Sequence, residues 1–156
     1  MRMRFARWLS IAVLLAGILP VWAADTAHGV YTPDAIKWGD PPPFIPKGSK
    51  IAVLYGDPAK EGPFVIHVQM PANYRIPAHS HPTDEVVTVL RGTLMYGMGD
   101  KLEPGRAKAL PAGSVVVAPA KMNHFVLTKD PARIQVTGTG PLAFTYVNPA
   151  DDPSKK

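Results

Sequence analysis

The sequence contains no cysteine among its 156 residues. This absence excludes disulfide bonds, a thiol nucleophile and a thiolate metal site, so any metal ion must be bound through nitrogen and oxygen. No window after residue 23 shows a sustained helical period, which argues against a helical bundle. A cluster of basic residues with interleaved aromatic residues is also lacking, and we therefore do not expect nucleic-acid binding.

The excess of positive charge is concentrated at the N-terminus. The chain has 17 Lys and Arg against 12 Asp and Glu, and three of the arginines lie within the first seven residues. They precede the segment Trp8–Trp22, which is apolar apart from Ser10, and this order predicts a secretory signal peptide cleaved after Ala23. An uncleaved membrane anchor is the alternative, but 15 apolar residues are fewer than the roughly 20 needed to span a bilayer. We predict a mature chain, residues 24–156, in the bacterial periplasm or outside the cell, without a stable membrane anchor.

Short β-prone runs follow, separated by many of the 18 prolines and 13 glycines. Such a pattern is typical of an antiparallel sandwich or barrel. We predict an irregular arm over residues 24–49, a barrel over 50–147 and a polar tail over 148–156. The nine predicted strands are Lys50–Tyr55, Phe64–Met70, Glu85–Leu90, Thr93–Gly97, Ala107–Leu110, Ser114–Ala118, His124–Thr128, Arg133–Thr137 and Leu142–Val147.

One segment concentrates metal-binding side chains: His79-Ser80-His81-Pro82-Thr83-Asp84-Glu85. In an extended strand alternate side chains share a face, so His79 and His81 can converge on one point. Glu85 has the same parity, but we expect a bend at Pro82, so its side chain need not share the face of the two histidines. Two imidazoles and a carboxylate form a donor set for a transition metal.

The segment resembles the first of two motifs of the cupin superfamily. That motif is Gly, five residues, His-x-His, three residues, Glu, six residues, Gly. This chain has Asn73, five residues, His79-Ser80-His81, three residues, Glu85, six residues and Gly92. Asparagine tolerates a left-handed backbone better than most residues, so Asn73 is a mild departure from glycine.

The second cupin motif is Gly, five residues, Pro-x-Gly, two residues, His, three residues, Asn. Here the chain has Gly113, five residues, Pro119-Ala120-Lys121, two residues, His124, three residues and Thr128. Lys121 is a poor replacement for glycine if that turn needs positive φ. The chain is thus similar to small, single-domain secreted bacterial cupins across roughly residues 50–147. The resemblance implies a jelly-roll barrel and a metal site formed by His79, His81, Glu85 and His124.

Four further residues are candidates for lining the pocket of such a barrel. His67 and Gln69 alternate with apolar residues on one strand, and they face either the pocket or solvent. Gln135 could reach the cavity, and Tyr96 either contacts a substrate or packs in the barrel.

Two functions are compatible with this resemblance. The first is a small oxidoreductase of the dioxygenase type, acting on an organic molecule that chelates the metal. In it Glu85 is the fourth ligand and can detach to act as a general base. The alternative is a non-catalytic protein that binds or senses a small ligand or a metal outside the cytoplasm. We predict one divalent transition metal, either zinc, copper or iron, with manganese or nickel as further alternatives. The expected partners are a small molecule and a second copy of the chain, since related barrels commonly dimerise.

Overall fold

The structure is a computed structural model that describes residues 29–156. The predicted signal peptide, residues 1–23, lies outside the described residues, as do residues 24–28. Three short 3-10 helices accompany the strands, and no helix within 29–156 is long and apolar enough to cross a membrane. The ten strands are β1 (Lys50–Tyr55), β2 (Gly62–Met70), β3 (Arg75–Ser80), β4 (Glu85–Arg91), β5 (Thr93–Met98), β6 (Lys108–Pro111), β7 (Val115–Ala118), β8 (His124–Leu127), β9 (Ala132–Gly140) and β10 (Thr145–Tyr146).

The strands form two five-stranded antiparallel sheets. One has the order β1-β2-β9-β4-β7 and the other the order β10-β3-β8-β5-β6. Along β2 every second residue from Phe64 to Met70 is buried, because alternate side chains of a strand point to opposite faces. These residues pack against Leu94 and Val126 of the other sheet in one apolar core. The all-β prediction is therefore confirmed.

An irregular arm precedes β1 and packs on the barrel through a few specific contacts. Ile45 is buried, and Gly39 forms an isolated bridge with Ile51 of β1. The hydroxyl of Tyr146 donates a hydrogen bond to the carbonyl of Phe44 at 2.8 Å. These contacts hold residues 39–45 against the mouth of the barrel.

Strand β3 was not among the nine predicted strands. Its sequence, Arg-Ile-Pro-Ala-His-Ser, contains Pro77, which cannot donate a ladder hydrogen bond. The pairing of β3 with β8 accordingly shifts register between Ile76 and His79. This irregularity in the ladder lets β3 contain a proline.

Both residues that replace motif glycines adopt the left-handed conformation. Asn73 has φ 59° and Lys121 has φ 62°. The loop at Lys121 therefore keeps the backbone that glycine would give, at a cost of about 1 kcal/mol or more for a residue with a Cβ. Thr128, which replaces the asparagine, accepts a hydrogen bond from the backbone N–H of Tyr74 and donates one to the carbonyl of Pro71.

Candidate metal centre

Three histidines converge because the strands that carry them pair. In the β3–β8 ladder His79 and His124 are directly opposite each other. His81 comes two residues after His79, immediately past the end of β3. The ring centroid of His79 lies 4.5 Å from that of His124 and 4.9 Å from that of His81. Each histidine offers one ring nitrogen, and these three atoms all lie within 4.8 Å of one another.

The second nitrogen of each ring is held by a backbone carbonyl. Nδ1 of His79 lies 2.7 Å from the oxygen of Pro77, Nδ1 of His81 lies 3.0 Å from that of Ala143, and Nδ1 of His124 lies 3.1 Å from that of Met122. A carbonyl oxygen can only accept, so each Nδ1 carries the proton. Nε2 of all three rings is then an unprotonated nitrogen, as a metal ligand must be.

Burial keeps these imidazoles neutral. It lowers the pKa of His79 well below its ordinary value, with smaller contributions from the neighbouring rings of His124 and His81. Burial lowers the pKa of His81 to about 4, and it also lowers that of His124. Near neutral pH the cluster therefore presents lone pairs rather than positive charges.

Glu85 approaches the cluster from the opposite sheet. It is the first residue of β4, and its Oε2 lies 3.3 Å from Nε2 of His81. Burial raises the pKa of Glu85 to about 7. Since His81 is neutral and this carboxyl is half protonated at pH 7, the contact is not a fixed ion pair. Glu85 lies beside the compact group of three nitrogens and is not a member of it.

The cluster opens on a cavity of about 60 Å³. One ordered water needs roughly 10–15 Å³ of such a cavity, so this space holds about four to six water-sized atoms. Its walls are otherwise almost entirely apolar, with residues such as Ile66, Val87 and Leu94. Tyr96 also lines it, and its buried hydroxyl has no hydrogen-bond partner among the described residues. Burial, and then the nearby charge of Glu85, raise the pKa of this phenol to about 12, so it remains a hydrogen-bond donor.

Phe144 covers the cluster on the side of the arm. Its ring stacks on His79 with the centroids 4.2 Å apart and the planes 8° from parallel. The same ring meets His81 edge-on at 4.7 Å and lies 5.4 Å from Phe44 of the arm. Phe144 and the carbonyl of Ala143 thus hold the cluster from one loop. These residues were predicted as part of a strand, Leu142–Val147, but only Thr145–Tyr146 is strand in the structure. Phe144 was not a predicted site residue, because its only signal is an aromatic side chain outside both motifs.

Of the four predicted pocket residues, only Tyr96 lines the cavity. His67 and Gln69 alternate along β2 with the wall residues Ile66, Val68 and Met70, and therefore project from the outer face of the sheet. Gln135 is the cross-strand partner of His67, and its Oε1 lies 3.2 Å from Nε2 of that histidine on the same outer face. Of the two alternatives left open for His67 and Gln69, the structure supports the outer face, and Gln135 lies there as well, because the inner face is the apolar one.

Comparisons with known proteins agree with this architecture. The sequence matches the ChrR cupin-like domain family over residues 26–143. A comparison with curated protein sequences finds no match. Among solved structures, the polyketide cyclase RemF from Streptomyces resistomycificus is similar with a TM-score of 0.67 and 18% identity, over 82% of this chain and 91% of that one.

Two other similar structures are enzymes of different activities. The DMSP lyase DddQ from Ruegeria pomeroyi DSS-3 has a TM-score of 0.56 and 23% identity, over 72% of this chain and 61% of that one. An oxalate oxidase has a TM-score of 0.51 and 21% identity, over 70% of this chain and 60% of that one. At such identities the likeness concerns the fold, and the chemistry must be argued from the site.

Proposed function

We propose a function from the premise that the chain belongs to the ChrR cupin-like domain family, within the cupin superfamily that its two motifs predicted. In this proposal the protein is an extracytoplasmic, metal-dependent oxidoreductase of the dioxygenase type. Its substrate is an organic molecule of a few heavy atoms that chelates the metal. The observation that carries the proposal is the set of three carbonyl-held imidazoles with unprotonated Nε2 atoms.

The donor set fits a divalent transition metal. Three neutral imidazoles and one carboxylate suit zinc, copper or iron, and manganese or nickel can occupy the same donors. His79, His81 and His124 would hold the ion, with Glu85 as a fourth ligand. A bound ion of this kind supplies a Lewis acid for a substrate oxygen and, where it is redox-active, a path for electrons to dioxygen.

The remaining roles belong to residues of the chain. Glu85, whose pKa burial raises in the metal-free protein, would act as a general base for a substrate hydroxyl once it detaches from the ion. Tyr96 has an unused donor in the cavity and would orient a bound oxygen atom by a hydrogen bond. Phe144 covers His79 and His81 and would exclude water from the bound molecule.

The size of the cavity limits the substrate. A space of about 60 Å³ suits a small enol, hydroxy acid or keto acid better than a flavonoid or another fused-ring molecule. The oxalate oxidase that shares the fold is named for a substrate of this size. That likeness supports the capacity of the fold alone, since the two chains are 21% identical.

The same small cavity supports one other function. A protein that only binds a metal ion, or a metal with one very small ligand, needs no more room than this. The second candidate is therefore a non-catalytic cupin that binds or senses such a ligand outside the cytoplasm.

Oxygen uptake separates the two functions. Wild-type protein loaded in turn with each metal would be given a panel of small enols, hydroxy acids, keto acids and catechols in an oxygen electrode. The oxidoreductase predicts substrate-dependent oxygen consumption that the double variant His79→Ala/His81→Ala lacks and the outer-face variant His67→Ala retains. Tight ligand binding by wild type without any oxygen consumption would instead establish the non-catalytic function.

The extracytoplasmic location is a further part of the proposal, and it rests on the three N-terminal arginines and the apolar segment after them. The full chain expressed in a Gram-negative host should be recovered from the periplasm with Ala24 as its first residue. N-terminal sequencing and intact mass would measure this. Recovery of the uncleaved chain from the cytoplasm would contradict it.

A further inference from the structure

A row of polar and basic side chains crosses the outer face of the sheet that contains β1, β2, β9 and β4. Lys50 on β1 is the cross-strand partner of Gln69 on β2, and Gln69 is the partner of Arg133 on β9. Arg133 is in turn paired with Arg91 on β4. Paired residues of antiparallel strands project from the same face, and a register shift between Val89 and Arg91 brings Arg91 opposite Arg133. All four side chains line one groove, and we term Lys50, Gln69, Arg133 and Arg91 the basic row.

The basic row lies along a surface groove of about 430 Å³. None of the residues that line the groove is acidic; besides the basic row they are Gly48, Met70, Pro71, Pro131 and Ala132. Lys50 is paired at 2.7 Å with the exposed Asp40, which lies outside the groove. Within residues 29–156 neither Arg91 nor Arg133 has a carboxylate oxygen within 4.0 Å of its charged nitrogens.

This arrangement is unfavourable for the protein alone. Two like charges directly opposite each other on neighbouring strands repel. In addition, Nε of Arg133 is buried and has no hydrogen-bond partner among the described residues, which is costly for a charged donor. An anion between the two guanidinium groups in the groove would relieve their mutual repulsion.

The guanidinium of Arg133 is also held in place. Its Cζ lies 5.1 Å from the ring centroid of Trp38, in the arm, and this cation–π contact restricts the side chain. A guanidinium fixed in this way loses less conformational freedom on binding than a free surface arginine.

From this geometry we propose that the groove is a second binding site, which takes a small oxyanion with two or more negative charges. Arginine forks recognise carboxylate and phosphate groups through paired hydrogen bonds, and the amide of Gln69 adds a neutral donor between the charges. The volume of the groove suits a phosphate ester or a di- or tricarboxylate rather than a single halide ion.

The site is separate from the metal centre. Glu85 and Arg91 are the first and last residues of β4, so they are about 20 Å apart along the strand. The basic row also projects from the opposite face of the sheet to the cavity walls. The proposal is therefore independent of the proposed oxidoreductase function and stands if that function fails.

Binding of simple probes tests the site. Inorganic phosphate and malonate would each be titrated into the full-length protein at low ionic strength, followed by calorimetry and by the NMR signal of the Trp38 indole N–H, assigned with Trp38→Phe. We expect saturable one-to-one binding of at least one probe, weakened by added salt. Tighter binding of phosphate identifies a phosphoryl ligand, and tighter binding of malonate identifies a dicarboxylate.

Two variants distinguish the groove from general positive charge. Arg91→Gln/Arg133→Gln should weaken binding at least about tenfold, because two charge-assisted hydrogen bonds are lost. The control Lys101→Gln/Arg106→Gln removes the same charge from an exposed loop and should change the affinity less than about twofold. If the first variant does not fold, Arg91→Lys/Arg133→Lys keeps the charge and removes the forks, and it should still weaken binding. Absence of saturable binding to wild type, or equal losses in the groove and control variants, would overturn the proposal.

Discussion

The inner and outer faces of this barrel both carry histidine, but the two faces use it differently. Inside, His79, His81 and His124 each have Nδ1 held by a backbone carbonyl, and burial keeps the rings neutral. Outside, Nε2 of His67 lies 3.2 Å from the side-chain oxygen of Gln135, and Nδ1 has no partner among the described residues. A side-chain amide can rotate, whereas a backbone carbonyl cannot. The inner face thus differs from the outer one in two respects: it groups three imidazoles, and a fixed backbone acceptor orients each of them.

The largest difference between the faces should be in metal content. The variant His79→Ala/His81→Ala removes two of three fixed donors, and we expect bound metal to fall from about one equivalent by more than tenfold. The variant His67→Ala should keep the wild-type content, because this histidine lies on the outer face. Elemental analysis of proteins purified side by side measures both. Equal metal content in wild type and both variants would contradict the proposed metal site at the inner histidines.

The second difference is the pH dependence of stability without metal. The pKa of His81 is about 4 in the folded protein and 6.5 in the unfolded chain, so acid protonates the unfolded chain first. The contribution of His81 to the free energy of unfolding therefore falls by about 2 kcal/mol as the pH drops from 7 to 5. Glu85 has the opposite effect on the free energy of unfolding. Its pKa is about 7 in the folded protein and 4.5 in the unfolded chain, so protonation between pH 7 and pH 5 relieves the penalty of burying its charge by about 2 kcal/mol. His79 and His124, whose pKa values are also lowered, leave a net loss of stability in acid.

Replacement of Glu85 by glutamine isolates these opposing contributions. Glu85→Gln cannot be relieved by protonation, so it should lose about 2 kcal/mol more than wild type between pH 7 and pH 5. Urea unfolding of metal-free protein at the two pH values measures this, with His67→Ala as a control that follows wild type. Parallel pH profiles for wild type and Glu85→Gln would contradict the buried, proton-binding state of this carboxyl.

A smaller effect is expected at the two buried tyrosines near the cavity. Tyr96→Phe removes a hydroxyl without a partner among the described residues, so folding stability should not fall, whereas azide binding to the metal-loaded protein should weaken about fivefold. Tyr146→Phe removes the hydrogen bond to Phe44 and should lower stability by about 1 kcal/mol, with unchanged azide affinity. Absorption titration and urea unfolding measure the two effects. Unchanged azide affinity in Tyr96→Phe would remove this residue from the proposed site.

The smallest effect should be on the outer face. His67 and Gln135 are cross-strand partners on a half-buried surface, and such pairs contribute about 0.2–1 kcal/mol. A double-mutant cycle of His67→Ala and Gln135→Ala, followed by urea unfolding, should give a coupling in this range without loss of metal. A coupling energy of several kcal/mol would show that the outer pair is as rigidly held as the inner cluster.

Much of the barrel was predictable, because apolar alternation decides which face of a strand is buried. Along β2 the residues from Phe64 to Met70 follow that rule, and the predicted strand differs from the observed one only by two residues at its start. Strand β3 was not predicted; it is only six residues long, and its pairing with β8 shifts register between Ile76 and His79. Its recognition requires the β8 partner, which is distant in sequence.

The candidate site was predictable only in part. The spacing His79-x-His81 placed two donors together, while His124 followed from the resemblance to a family motif rather than from its own spacing. The carbonyls that fix the rings could not be predicted, because they depend on the path of the backbone. The sequence left open whether His67 and Gln69 face the pocket or solvent, and in the structure the apolar face of β2 lines the cavity.

The hydrogen bond between His81 and the carbonyl of Ala143 links the loop before β10 to the state of the imidazole. A ligand on Nε2 of His81 changes the strength of the hydrogen bond from Nδ1–H to the carbonyl of Ala143. It therefore also changes the free energy needed to displace the loop. By thermodynamic reciprocity, displacement of the loop must weaken whatever Nε2 binds by the same factor. A substitution that weakens this hydrogen bond should therefore also change the affinity of Nε2 for its ligand.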